Sequence, residues 1–297
     1  MEIYRIPEDL RFVNQIGQTL SAEEKIKLEI ALIKLSSTQT FDQLLFWGRI
    51  EGTVANYYIA IGLNFKNNFE FPHKTFFYTA NLKEFQNLPP LNPEYKEQVE
   101  TFRQLFSGQP EKILINITGE DGDQPPADQP NPDEPQPVVK NDDDSDVEIK
   151  PPPKNFLEVD RLAYVVNAIE FECALLPVGA VRLTPTHELR YNDSFEGLNL
   201  QEASKIINYQ HFRAPQSPNK KELIAQDDAL FHYDFFDQLD DHPVGQWSLQ
   251  TDSSKYQVTI RNLQWPGFLG YHRAGTRIFG YAYFGDGIKN VDLAFQL

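Results

Sequence analysis

Residues 42–63 read DQLLFWGRIEGTVANYYIAIGL, and this stretch decides the fold class. Two runs rich in aromatic and β-branched side chains, 44–50 and 57–63, flank a six-residue connection, 51–56. Such side chains fit a pleated, half-buried surface, so the stretch is expected to form two strands. Gly48 and Gly52 interrupt the pattern where a bend or a close backbone approach is needed. The composition is that of an element made to pack and to be packed against.

On the N-terminal side, Ser21 and Glu24 make a capping box for a helix. Ile26, Ile30 and Ile33 recur on one face at helical spacing, with Leu28, Leu32 and Leu35 widening the stripe. On the other side, a strand is expected over 75–80 and a short helix over 93–106, with Pro93 in its first turn. Asn155 is expected to cap a further helix whose apolar positions are Phe156, Val159, Ala163, Val166, Ile169 and Cys173. A strand at 180–183 and a short helix at 200–208 follow. Alternation then places Tyr256, Val258 and Ile260, and later Phe279, Tyr281 and Tyr283, on strand faces. Gly285 and Gly287 read as a tight hairpin turn. The fold class expected is α+β, with antiparallel sheet drawn from both ends of the chain and helices packed on it.

One segment breaks this pattern. Residues 118–153 hold eleven carboxylates against two lysines, and nine of the 21 prolines. No aromatic occurs between Phe106 and Phe156. Such a segment buries too little apolar surface to offset its ordering entropy, so a disordered acidic, proline-rich insert is expected. Residues 1–117 and 154–297 are then expected to fold together as one unit around it.

The formal net charge of −16 argues against nucleic acid or an anionic membrane surface as partner, since both demand basic patches. A single cysteine, Cys173, excludes an internal disulfide framework and suits a reducing compartment. The opening MEIYRIPEDL lacks the basic and apolar segments of a signal peptide, and no apolar run approaches a membrane span. The expectation is a soluble intracellular protein.

Catalytic patterns are sparse. The six histidines (His73, His187, His211, His232, His242 and His272) are scattered, with no HExxH and no paired cysteines, so no metal site is expected. Cys173 lies on an apolar helix face and reads as a small buried hydrophobe. Asp227, Asp228, Asp234, Asp237, Asp240 and Asp241, followed by Trp247, form the densest acidic cluster. Paired carboxylates near aromatics are what glycoside hydrolysis uses, so a carbohydrate-active enzyme working through 234–241 is one alternative. In so acidic a chain, a solvated acidic face is the simpler reading. The same run lacks the alternating ligands and central glycine of a calcium loop. The glycines at 267, 270, 275, 280, 285 and 287 do not form a phosphate loop, because GxxxxGK[ST] is absent. No catalytic residue, cofactor or small-molecule substrate is expected.

The segment FWGRIEGTVANYYIAIGL (46–63), with Trp47-Gly48 followed by Asn56, Tyr57, Tyr58 and Ile59, resembles the hallmark of the radial spoke head proteins of motile cilia and flagella. Four further blocks in order extend the resemblance over nearly the whole chain. They are ALLPVGAVRLTP (174–185), SFEGLNLQEASKIINYQHFRAP (194–215), VGQWSLQ (244–250) and LQWPGFLGYHRAGTRIFGYAYFGDGIKNVDLAFQL (263–297). The acidic segment 118–153 departs from that pattern, and nothing is carried onto it.

The resemblance implies a structural subunit of the axonemal radial spoke head, without catalysis. It implies a neighbourhood of larger related subunits, radial spoke head proteins 4 and 6, and contact with central-pair projections through the assembled head. A related head paralogue or a non-ciliary scaffold is the alternative of the same class. The residues shared with the family motif imply fold and assembly elements: Trp47, Gly48, Tyr57, Tyr58, Trp247, Trp265, Pro266, Gly267, Gly280, Tyr281, Asn290, Asp292 and Leu293. Mechanically, aromatic strand faces packed on a neighbour are expected to supply stiffness, and the acidic insert to keep contact with the central pair weak.

Overall fold

In this computed structural model, residues 1–14, 17, 19–65, 71–115, 155–186, 188–226, 234–240 and 245–295 are described. The chain begins with helices α1 (Ile6–Val13) and α2 (Ala22–Thr38), then strands β1 (Gln43–Ile50), β2 (Tyr57–Asn64), β3 (His73–Thr79) and β4 (Gln86–Asn87). Next come α3 (Lys96–Thr101), β5 (Ile113–Ile115), β6 (Phe156–Leu157) and α4 (Glu158–Cys173). Short pieces follow: β7 (Leu175–Pro177), β8 (Val181–Leu183), β9 (Leu189–Tyr191), α5 (Leu200–Ala203), β10 (Tyr209–His211) and α6 (Pro218–Ile224). The last strands are β11 (Trp247–Thr251), β12 (Gln257–Asn262), β13 (Phe268–Arg273) and β14 (Phe279–Gly285).

Strands from both ends join one eight-stranded sheet in the order β11-β12-β13-β14-β1-β2-β3-β4. The fold is α+β, as expected, but the sheet is mixed. β1 and β14 run parallel, with Gly48 opposite Tyr283 and Ile50 opposite Gly285, while every other neighbouring pair in the sheet is antiparallel. Parallel neighbours need a long crossover, and here almost the whole chain supplies it.

A bulge in β1 sets the geometry. Phe46 faces Ala60 and Gly48 faces Ile59, so Trp47 is the extra residue. The slip resets the alternation, so Trp47 and Ile50, three apart, share the face that carries α4, while Phe46 packs on the opposite face. Gly48 makes the parallel join possible. A Cβ there would lie 2.1 Å from the Tyr283 carbonyl oxygen.

Both sheet faces are covered by the chain itself. Trp47, Tyr57, Ile59, Ile61 and Tyr283 pack with Leu162, Val166 and Ile169 of α4 on one side. Phe46, Tyr58, Phe77, Tyr271 and Phe284 pack with Leu10 of α1 and Leu28, Leu32 and Leu35 of α2 on the other. β2 is therefore buried along almost its full length, from Tyr57 to Leu63. The expectation that aromatic strand faces meet a neighbouring subunit is corrected: these rings are spent on internal packing.

Four local expectations also change. The capping box on α2 is present, but the helix buries Leu28, Ala31, Leu32 and Leu35, leaving Ile26, Ile30 and Ile33 exposed at 60%, 63% and 42%. Asn155 does not cap α4. Phe156 is fully buried in β6, paired with β5, and Asp160 Oδ2 accepts from the Leu157 amide at 3.1 Å. Tyr256 precedes β12 and is exposed, while Val258 and Ile260 are buried. Gly285 and Gly287 close no hairpin, because β14 is the last strand along the described chain, which leaves it toward a 3-10 turn at Leu293–Phe295. Residues 118–153 lie outside the described residues, as do His187, His232, His242, Asp227, Asp228 and Asp241.

Candidate functional site

α4 is the element on which the motif residues converge. Its buried stripe (Leu162, Val165, Val166, Ile169 and Cys173) contains two glutamates in phase with it, Glu158 and Glu170, exposed by only 1% and 4%. They sit twelve residues apart, roughly 18 Å along the helix axis. A buried carboxylate is costly unless hydrogen-bonded, so the donors around each one define the site.

Glu170 accepts three bonds: from the Trp47 indole N–H at 2.9 Å, the Tyr281 hydroxyl at 2.8 Å and the Lys74 ammonium at 2.6 Å. Three separate strands, β1, β14 and β3, are thereby tied to one helical residue. Glu158 accepts from the Tyr57 hydroxyl at 2.7 Å, from the Ser107 hydroxyl and amide, and from the amides of Gly108 and Gln109. Burial alone would raise the Glu158 pKa, but these donors outweigh it and hold the carboxyl below its ordinary range. Burial and the Glu158 charge push the Tyr57 hydroxyl far above a free phenol.

A third glutamate extends the pattern at the exposed edge. Glu172 accepts from the Trp265 indole N–H at 2.6 Å and pairs with Lys289 at 2.7 Å. On the opposite face of the sheet, Tyr58 donates to Glu24, the same residue whose Oε2 accepts from the Ser21 amide at 2.6 Å. Burial and Glu24 push the Tyr58 hydroxyl up to about 12. The polar tips of five motif aromatics (Trp47, Tyr57, Tyr58, Trp265 and Tyr281) thus end on glutamates of helices.

The remaining motif residues frame the sheet. Trp247 is half-buried on β11, edge-on to Phe268 at 6.0 Å. Pro266 and Gly267 turn the chain from β12 into β13, and a Cβ on Gly267 would lie 2.3 Å from the Phe284 carbonyl oxygen. Gly280 stands opposite Tyr271 in the β13–β14 register. Asn290 donates its amide to the Gln264 carbonyl at 2.7 Å, while Asp292 and Leu293 lie at the final turn, Asp292 exposed.

The acidic cluster does not form a paired-carboxylate site among its described members. Asp237 accepts from the amides of Gln216 and Ser217 ahead of α6, and Asp234 pairs with Lys220 at 3.0 Å. These are ties within the fold. Cys173 is fully buried, and burial raises its thiol well above the ordinary value. Among the described residues no three His, Cys, Asp or Glu side chains are grouped to hold a metal, and no helix is long and apolar enough to cross a membrane.

The aromatic–glutamate bonds tie the helices of this α+β body to its sheet, and comparisons with known proteins give its family. A family model described as "Radial spokehead-like protein" matches residues 1–104. The radial spoke head protein 9 homologs of Bos taurus and Homo sapiens are each 35% identical over 289 residues, covering 97% of this chain and 97% of theirs. The homolog of Danio rerio is 31% identical over 95% of this chain and 94% of its own. The chain belongs to the radial spoke head protein 9 family.

Proposed function

We propose that this chain is a non-catalytic structural subunit of the axonemal radial spoke head, acting in head assembly and in mechanical contact with the central pair. The observation that carries this reading is the full-length likeness to radial spoke head protein 9 homologs, joined to motif residues that are spent on holding the body together. A head that collides and releases at every beat needs a stiff body, and charge-assisted buried bonds between helix and sheet supply stiffness. Residues 1–117 and 154–297 act as one co-folded unit in this reading, and the thirteen motif residues serve as its fold and assembly elements.

The neighbouring subunit, of the larger related radial spoke head type, seats on the outer face of α2. Ile26, Ile30 and Ile33 support this: they form a stripe at i, i+4 and i+7, and no other described helix leaves such a stripe exposed. The acidic insert keeps the head's contact with the central pair brief by like-charge repulsion, which acts within a Debye length of about 8 Å.

The test is cross-linking of intact spoke heads purified from axonemes. Cross-links from Lys25, Lys27 or Lys34 on α2 to a larger head subunit support the reading. Absence of the chain from purified spokes contradicts it.

A further inference from the structure

Between α4, α3 and the β3 end of the sheet, the fold leaves a cleft of about 1310 Å³, larger than pockets that hold drug-sized molecules. Its charge is inverted relative to the chain. The whole sequence carries 43 carboxylates against 27 lysines and arginines, yet this cleft is lined by six lysines and arginines against three glutamates. Two of the six are already used: Lys74 is paired with Glu170 and Lys289 with Glu172. Arg213 is paired more loosely with Asp237 at 3.9 Å, which leaves Lys96, Arg103 and Arg161 without an ion pair among the described residues, and Glu100 is the one lining glutamate not already paired.

Arg161 is the unusual member. It is 99% buried, being 1% exposed, and its Nε and Nη1 have no hydrogen-bond partner. Its guanidinium lies against the rings of Phe106 at 4.1 Å and Phe102 at 4.9 Å, which hold it flat and leave its edge free to donate. The carboxylate of nearby Glu158 is occupied by Tyr57 and residues 107–109. Burial pulls the Arg161 pKa down to about 10, which leaves it charged near neutral pH. Arg213, stacked on Phe171 at 4.1 Å, also has a buried Nε without a partner, and its nearest carboxylate, Asp237, is 3.9 Å away. Unpaired buried donors cost about 1–3 kcal/mol each, so a ligand that satisfies them is favoured.

Exposed Phe171, Leu91 and Val291 put apolar surface beside these cations. We propose that this cleft binds an acidic peptide segment of a partner chain, one carrying apolar side chains between its carboxylates. A carboxylate seats against Arg161, Lys96 and Arg103 hold its neighbours at the rim, and the apolar side chains rest on Phe171 and Leu91. This site is separate from the α2 face, so it stands or falls independently of the assembly reading.

The test uses the full-length purified chain and a fluorescein-labelled peptide of six glutamates interspersed with two leucines and one phenylalanine, followed by fluorescence anisotropy. Saturable binding is expected, weakening as salt rises from roughly 50 to 300 mM. Arg161→Met should weaken it roughly tenfold or more. Because that variant alters a buried site, the exposed pair Lys96→Gln with Arg103→Gln is measured in parallel; it should weaken binding several-fold with an unchanged melting temperature. The proposal is overturned if the peptide fails to bind below the millimolar range, or if the rim pair leaves affinity unchanged. It is equally overturned if the matching glutamine peptide binds as tightly.

Discussion

Replacing Glu170 with alanine should remove much of the stability of this fold. The residue is 4% exposed and gathers the Trp47 indole, the Tyr281 hydroxyl and the Lys74 ammonium. Lys74 keeps one acceptor after the change, the Phe212 carbonyl at 2.5 Å, and its side chain is 17% exposed. Breaking a buried ion pair from one side costs about 3–5 kcal/mol. The Trp47 and Tyr281 donors, left without their carboxylate, add about 1–3 kcal/mol each if they act independently. Shared surroundings make these terms sub-additive, so a loss of roughly 4–6 kcal/mol is expected. Domains have only about 5–15 kcal/mol in total, so the variant should unfold at markedly lower urea. Pairing Glu170→Leu with Lys74→Leu removes both charges and should recover part of the loss, a coupling that a double-mutant cycle in urea reads directly. A Glu170→Ala midpoint within about 0.5 kcal/mol of the parent, the range of neutral surface changes, would refute the clasp.

Acidification should destabilise the protein in two stages. Burial lowers both His211 and His272 to about 4 from an unfolded value of 6.5, so the folded state holds them neutral. Their contribution is complete above pH 6.5 and is lost as pH falls toward 4, by up to about 3 kcal/mol each. Glu158, held below 4.5, adds a further loss below that pH. A melting temperature that stays flat from pH 7 to 4.5 would contradict this. Gly48→Ala should prevent soluble folding, since its Cβ would meet the Tyr283 carbonyl oxygen at 2.1 Å and part β1 from β14; recovery of a cooperative unfolding transition would count against it. Cys173 should resist thiol reagents in the native state and react only at the rate of unfolding, which a labelling time course in and out of urea can follow.

Much of this fold is written in local pattern. The paired runs around residues 44–63 and the helix after residue 156 follow from alternation and helical spacing, and their burial agrees. The face of α2 did not follow. Ile26, Ile30, Ile33 and Leu28, Leu32, Leu35 are two stripes of equal spacing on one helix, so periodicity alone has no preference between them. Tertiary contact decides: Glu24 lies in phase with Leu28 and Leu35, and its bond to Tyr58 turns that side toward the sheet. The parallel β1–β14 join was likewise illegible, because it links residues more than 230 apart. The glutamate clasp did leave a signal. Glu158 and Glu170 occupy positions in phase with an apolar stripe, where an unpaired carboxylate would be untenable, and the family-motif aromatics offered the donors.

The most direct measurement is a rescue of cilia that lack this chain, imaged by cryo-electron tomography, with the parent protein and with Ile26→Glu plus Ile30→Glu. Both substitutions are on exposed positions, so the purified variant should melt with the parent. The account predicts that the parent restores spoke-head density and that the variant leaves the spokes headless or incomplete. Full head density with the variant, or normal heads in cilia without the chain, would contradict it.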